Sequence, residues 1–301
     1  ARCCEGVKDP RHGRGSPGVH KMWEQRVRFL PIISPERKEI GLLLHGIDKE
    51  QEEMRVYFIG AGPGDVELLT VKGKAVLEEA DIIIYAGSLI NPEILRHGKK
   101  EALFYDSSGM TLEEILEVMV NAAREGKTVV RLHSGDPSLY GAIGEQIRAI
   151  AEKGIEYRVI PGISSFQAAA ATLGLEYTVP EEVQTVILTR ISGRTKVPEK
   201  ERLRELAKHR ASMCIFLSAH KMQEVVEELL ESYGAGAPAA VIYRASWEDE
   251  KVIRGSLAKI AEKARDVKKT ALILVGDFLK PRKAESKLYD SGFEHGYRGK
   301  K

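Results

Sequence analysis

The sequence predicts an α/β protein of two domains, the first built on a mainly parallel sheet. Three observations carry the prediction. Short apolar runs alternate with amphipathic segments from Arg55 onward. Turns of Gly, Pro and Ser stand where predicted strands give way to predicted helices. The alternation also breaks at residues 174–182 and then restarts, and a chain of 301 residues is long enough for two domains of ordinary size.

The elements follow in order. Residues 56–59 read as a short buried strand running into glycines, and 68–79 have helical spacing. Strands are expected at 82–85 and 103–105. Residues 112–124 place Leu112, Ile115, Leu116 and Met119 on one stripe of a helix. A strand at 128–132 precedes a helix at 140–153, which ends near Gly154. A strand at 157–160 closes on Pro161-Gly162 before an alanine-rich helix at 164–173. After the break, strands are expected at 185–189, 212–217, 239–243, 250–254 and 270–275. Helices are expected at 199–208, 221–232 and 256–264. The predicted organisation is a non-core extension at 1–53, a first domain at 54–174, a linker at 175–182, a second domain at 183–280 and a polar tail at 281–301.

Composition narrows the function. A formal charge of +2 argues against an electrostatically driven nucleic-acid binder. No apolar run reaches the roughly 18–20 residues of a membrane span, and the run at 29–33 is short and interrupted by Pro31, unlike a signal peptide. Of the three cysteines, Cys3 and Cys4 are adjacent and Cys214 sits in an apolar run. No Cys/His cluster has metal-ligand spacing, and the pattern fits a reducing cytoplasm.

Four segments carry candidate chemistry. Gly60-Ala61-Gly62-Pro63-Gly64-Asp65 joins a strand to a helix, where glycines admit a ligand close to the backbone. It departs from the dinucleotide fingerprint, because Asp65 replaces the third glycine and Pro63 removes an amide donor. The acidic ribose partner is also missing, since residues 82–85 run into Ala86-Gly87. A tight turn with Asp65 as helix cap is the simpler alternative.

His133-Ser134-Gly135-Asp136-Pro137 and Pro161-Gly162-Ile163-Ser164-Ser165 are similar junctions. In an open parallel sheet they belong on the edge that holds ligands. Asp136 either accepts hydrogen bonds from a ligand or braces its own loop. Ser164 or Ser165 caps a helix or meets a ligand, and His133 stays open between a structural and a functional role. The segment from Arg190 to Pro198 holds Arg190, Arg194 and Lys196 in a glycine-containing loop. It is either a solvated loop or, with Arg244, a clamp for carboxylates.

On these residues the chain resembles the tetrapyrrole (class III) methyltransferases over residues 54–279. The opening motif is Gly60-Ala61-Gly62-Pro63-Gly64-Asp65 with Leu69-Thr70-Val71-Lys72-Gly73. Ser134-Gly135-Asp136-Pro137 resembles the second motif and Pro161-Gly162-Ile163-Ser164-Ser165 the third. Residues 133–146 and 185–199 resemble the branch that methylates carbon 11 of (cobalt-)precorrin-4.

The resemblance implies the tetrapyrrole methylase fold: two α/β domains, a parallel N-terminal and a mixed C-terminal sheet, and S-adenosyl-L-methionine in the trough between them. S-adenosyl-L-homocysteine would be the product, and the enzyme a homodimer acting on a small tetrapyrrole. By motif, the cofactor contacts are Pro63, Ser134, Gly135, Asp136, Leu139, Ser164 and Ser165, with Arg190 and Ala245 from the second domain. Asp106 and Ser107 border the trough, and Arg194, Lys196 and Arg244 meet substrate carboxylates. Ala86 stands where the uroporphyrinogen enzymes carry an acid, so that substrate is disfavoured and no catalytic base is assigned. The alternatives are a methyltransferase for another corrinoid carbon, a nicotinamide oxidoreductase, and a tetrapyrrole carrier without catalysis.

Overall fold

A computed structural model describes residues 55–280. The extension expected at 1–53 and the tail expected at 281–301 lie outside the described residues.

Five strands form the first sheet: β1 (Val56–Gly60), β2 (Ile82–Tyr85), β3 (Leu103–Asp106), β4 (Val129–His133) and β5 (Tyr157–Ile160). Their order is β3-β2-β4-β1-β5, and every pairing is parallel. Four helices follow strands of this sheet: α1 (Val71–Glu79), α2 (Leu112–Arg124), α3 (Ile143–Ala151) and α4 (Ser165–Leu173).

Alternate strand residues go to opposite faces. Tyr57, Ile59, Val130 and Leu132 pack with Leu77 of α1. Val56, Phe58, Val129 and Ile84 pack with Met119 of α2 and Ile150 of α3. With both faces covered, the central strands are apolar almost throughout, which is why they read as continuous runs rather than alternating ones.

From β1 the chain leaves toward β2, whereas from β4 it leaves toward β5, on the other side. The β1–β4 pair is therefore a topological switch point, and open parallel sheets bind ligands outside the strand ends at such a point.

The second sheet contains β6 (Val186–Arg190), β7 (Ser212–Phe216), β8 (Pro238–Tyr243), β9 (Lys251–Ser256) and β10 (Ala271–Val275). Its order is β6-β7-β10-β8-β9. Only β6 and β7 are parallel; the other pairings are antiparallel. One face is covered by α5 (Leu203–Ala207), α6 (Met222–Tyr233) and α7 (Leu257–Lys263), through Leu203, Val225, Leu229, Leu257 and Ile260.

The other face is covered by α4. Ala168, Ala169 and Leu173 pack against Cys214, Ala240, Ile242, Leu272 and Leu274. Cys214 is fully buried, and burial pushes its thiol up to about 12. The segment 175–182 joins this core as well. Tyr177 is buried, donates its hydroxyl to Phe166 O at 2.6 Å, and receives the Ser212 hydroxyl on its carbonyl at 2.6 Å.

Three helices are shorter than their periodicity predicts, each for a local reason. The segment 68–79 opens with a 3-10 turn at Val66–Leu68, then passes through extended Leu69 and Thr70. Thr70 Oγ1 accepts from Gly73 N at 3.1 Å and starts α1 there. Residues 140–142 are not helical, because Tyr140 and Ala142 adopt left-handed backbone with φ of 58° and 49°. The segment 199–208 divides into a 3-10 turn at Glu199–Glu201 and α5, separated by extended Arg202. Among the described residues, no helix is long and apolar enough to cross a membrane.

Candidate cofactor site

The three glycine-bearing turns meet at the carboxyl edge of the first sheet. Ala61 N donates to His133 O at 2.7 Å, and Gly62 and Gly135 exchange backbone hydrogen bonds at 3.2 and 2.8 Å. A side chain on Gly60 would place its Cβ 2.5 Å from both Gly135 O and Gly162 Cα. Three backbones thus pack at a spacing that no larger residue permits. Three amides of the first turn, at Ala61, Gly62 and Asp65, are spent inside the protein, the last donating to Ser246 Oγ at 3.0 Å. The turn is therefore not a cradle for phosphate.

Asp136 ties the second turn to the third. Its Oδ2 accepts from Gly162 N at 2.8 Å, and its Oδ1 accepts from Ser138 N at 2.8 Å and from the Ser138 hydroxyl. Partial burial works against the charge, but these hydrogen bonds outweigh it and hold the carboxyl below its ordinary range. Ser164 is buried, and its amide donates to Gln167 Oε1 at 2.9 Å at the start of α4.

The second sheet presents a matching edge. The ends of β6, β7 and β8 lie there together with the start of the antiparallel β10. Between the two edges is a cavity of about 180 Å³. Pro63, Ser134, Gly135, Asp136, Leu139, Ser164 and Ser165 line it from the first half, and Ala245 and Arg244 from the second. Apolar walls come from Phe216, Leu217, Ile242 and Leu272, and Leu89 and Tyr140 stand at the same cavity. Four lining residues, Tyr140, Leu217, Arg244 and Thr270, have positive φ between 49° and 58°. Strained backbone of this kind concentrates where a ligand is held. Ala245 is 5% exposed, and its amide makes no hydrogen bond among the described residues.

The remaining sequence-predicted residues do not line this cavity. Arg190 folds its guanidinium over its own loop, donating to Ile191 O at 3.3 Å, Thr195 O at 3.0 Å and Lys196 O at 3.4 Å. Arg194 and Lys196 are exposed, with no side-chain partner among the described residues. Asp106 is the last residue of β3, not a loop residue beyond it. Its Oδ1 accepts from Gly87 N at 3.0 Å and Ser108 N at 2.9 Å, and these bonds lower its pKa. Ser107 donates to Tyr85 O at 3.0 Å. Both knit the ends of β2 and β3.

His133 does not line the cavity. It is 7% exposed and stacked near Phe58, with ring centroids 6.1 Å apart, and its Nε2 is buried without a partner among the described residues. Burial, aided by nearby Arg131, pushes its pKa down to about 3, so the imidazole is neutral at ordinary pH. Arg131 itself is buried without a carboxylate. Its Nε donates to Gln146 Oε1 at 3.3 Å and its Nη1 to Ile84 O at 3.2 Å, and burial lowers it to about 10.

Sequence reasoning missed several wall residues. Phe216-Leu217 was within reach, because a strand parallel to β6 must end on the same edge. Thr270 and Leu272 were not, because their place depends on β10 running antiparallel, which no residue announces.

The fold and the cavity define a class, and the comparisons agree with it. The family model for tetrapyrrole (corrin/porphyrin) methylases matches residues 55–261, and the chain belongs to this family. It is 56% identical over 248 residues to the cobalt-precorrin-4 C(11)-methyltransferase of Methanocaldococcus jannaschii, an alignment covering 81% of this chain and 96% of that protein. It is 50% identical to the precorrin-4 C(11)-methyltransferase of Pseudomonas aeruginosa, over 81% of this chain and 99% of that protein. Among solved structures, the cobalt precorrin-4 methyltransferase CbiF superposes with a TM-score of 0.75 at 41% identity, covering 79% of this chain and all of that one. A uroporphyrin-III C-methyltransferase from Thermus thermophilus, complexed with S-adenosyl homocysteine, gives a TM-score of 0.64 at 27% identity, covering 75% and 93%.

Proposed function

We propose that this protein transfers a methyl group from S-adenosyl-L-methionine to carbon 11 of a precorrin-4 macrocycle, the step that makes precorrin-5 in cobalamin biosynthesis. The observation that carries this reading is the length and depth of the likeness to enzymes named for that reaction: nearly their whole chains, at 50–56% identity.

The cavity suits the cofactor. Apolar walls at Leu139, Leu217, Ile242 and Leu272 match a purine and a thioether, and the unpartnered Ala245 amide can donate to a ring nitrogen. When bound, the cofactor supplies a methyl already activated on a sulfonium. In this reading Pro63, Ser134, Gly135, Leu139, Ser164, Ser165 and Ala245 hold it, and Asp136 fixes the turns that do so. The chain's main contribution is to place two reactants in line and to exclude water from the cavity, rather than to move a proton. Arg194, Lys196 and Arg244 receive substrate carboxylates, Arg190 shapes their loop, and Asp106 and Ser107 border the trough. Assembly as a homodimer belongs to the same proposal.

Incubation with labelled S-adenosylmethionine and precorrin-4, metal-free in one arm and cobalt-loaded in the other, tests the reading. One labelled methyl at carbon 11, located by mass spectrometry and NMR, is expected in at least one arm. A methyl at another carbon, or no transfer in either arm, overturns it.

A further inference from the structure

The segment Arg244-Ala245-Ser246-Trp247-Glu248-Asp249-Glu250 joins β8 to β9 and reaches back to the first half at three points. Trp247 Nε1 donates to Pro63 O at 2.9 Å, and Ser246 Oγ accepts from Asp65 N at 3.0 Å. Glu250 Oε2 accepts from Ser246 N at 2.7 Å and from Thr172 Oγ1, near the end of α4, at 2.9 Å. The indole lies so close to Gly64 that a Cβ there would stand 2.7 Å from Trp247 Cγ.

The indole also carries Arg244, whose Cζ is 3.9 Å from the ring centroid. Arg244 is held in left-handed backbone, φ 49°, by Arg244 N donating to Thr270 O at 2.8 Å and Trp247 N donating to Arg244 O at 3.0 Å. Its Nη1 pairs with Asp249 at 2.6 Å, and its Nη2 has no partner among the described residues. An arginine that is free at a cavity mouth samples many rotamers. One pressed flat on an indole keeps its fork in a single plane.

We infer that Trp247 is a positioning residue for the reaction: anchored on Pro63 across the boundary between the two sheets, it holds the Arg244 guanidinium at the cavity mouth for a substrate carboxylate. The inference rests on the proposed role of Arg244 toward substrate. A space-filling role for Trp247 would make the effect of its loss on substrate affinity independent of Arg244. A positioning role makes the two residues one unit.

The test is a cycle of W247L, R244A and the double variant. It measures kcat and KM for the precorrin-4 substrate, S-adenosylhomocysteine affinity by calorimetry, and thermal unfolding. W247L is expected to raise KM roughly tenfold in the presence of Arg244 and less than twofold in its absence, with kcat and S-adenosylhomocysteine affinity changed less than twofold. Equal effects of W247L in both backgrounds overturn the inference, as does a loss of S-adenosylhomocysteine affinity as large as the rise in KM. If R244A raises KM and W247L does not, the inference fails while the reading of Arg244 stands. If R244A leaves KM unchanged, that reading fails and takes the inference with it. Should W247L not fold, W247F, which keeps an aromatic face and loses the bond to Pro63, is judged in the same cycle by the same criteria.

Discussion

The two sheet edges that enclose the cavity are built in opposite ways. On the first edge three turns are locked to one another, by Gly60, Gly135 and Gly162 backbones in contact and by the Asp136 carboxylate on Gly162 N. On the second edge the loop at 190–197 is tied down at its start, where Ile191 N donates to Ser218 Oγ at 2.9 Å, then folds on itself through Arg190 and leaves Arg194 and Lys196 in solvent. The first edge is a rigid floor whose shape cannot be adjusted. Past Arg190 the second is a fringe, where the charges of Arg194 and Lys196 can follow a ligand. This division suits a small cofactor that must be placed accurately and a large polycarboxylate that need only be gripped.

The sharpest way to break the comparison is to put a methyl group in the floor. In Gly162→Ala the new Cβ would sit 2.7 Å from Gly60 Cα, with backbone on both sides and nothing soft to move. A loss of about 3 kcal/mol, the upper end for overpacking, is expected from denaturant unfolding. A variant as stable as the parent would show that the turns can separate.

A second test probes what lies beneath the floor. His133 is held near pKa 3 in the folded chain against about 6.5 when unfolded. Between those values the unfolded state binds the extra proton, so stability falls as pH drops below about 6.5 and is unaffected above it. The expected cost is on the order of 3 kcal/mol by pH 4, and His133→Phe should flatten that part of the profile. A profile of equal slope in the variant would assign the acid sensitivity to other groups.

The smallest of the three effects belongs to the fringe. Arg194→Ala should raise KM for the substrate roughly tenfold, as loss of one charge-assisted contact does. Unfolding and S-adenosylhomocysteine affinity should stay as in the parent. Equal weakening of substrate and cofactor would move Arg194 from the fringe to the floor.

The same contrast separates what the sequence made legible from what it did not. The strands at 82–85 and 157–160 stand at the predicted residues, where short runs are bounded by turns, and the helix at 112–124 does because its apolar stripe agrees with the capping box at Thr111. The junctions at Gly60, Ser134 and Pro161 were visible as turns, and parallel strands put them on one edge. What pairs with what inside those turns was not visible. Whether Asp136 addresses a ligand or Gly162 N depends on a separation of 26 residues closed by the fold. Arg131 gave no signal either, because a buried arginine without a carboxylate among the described residues has no sequence pattern of its own, and beside it His133 stayed open between two roles.

The placement of α4 carries a consequence for how the chain comes into being. Its apolar side is buried by Ala240, Ile242, Leu272 and Leu274, all made at least sixty residues after Leu173 is added to the chain. The first sheet can assemble as it is synthesised, but its last helix must wait with Ala168, Ala169 and Leu173 uncovered until β8 and β10 have emerged. Cutting the gene between the two sheets therefore would not yield two tidy halves. The first fragment would keep a sticky helix, and the second a bare sheet face shaped to receive it.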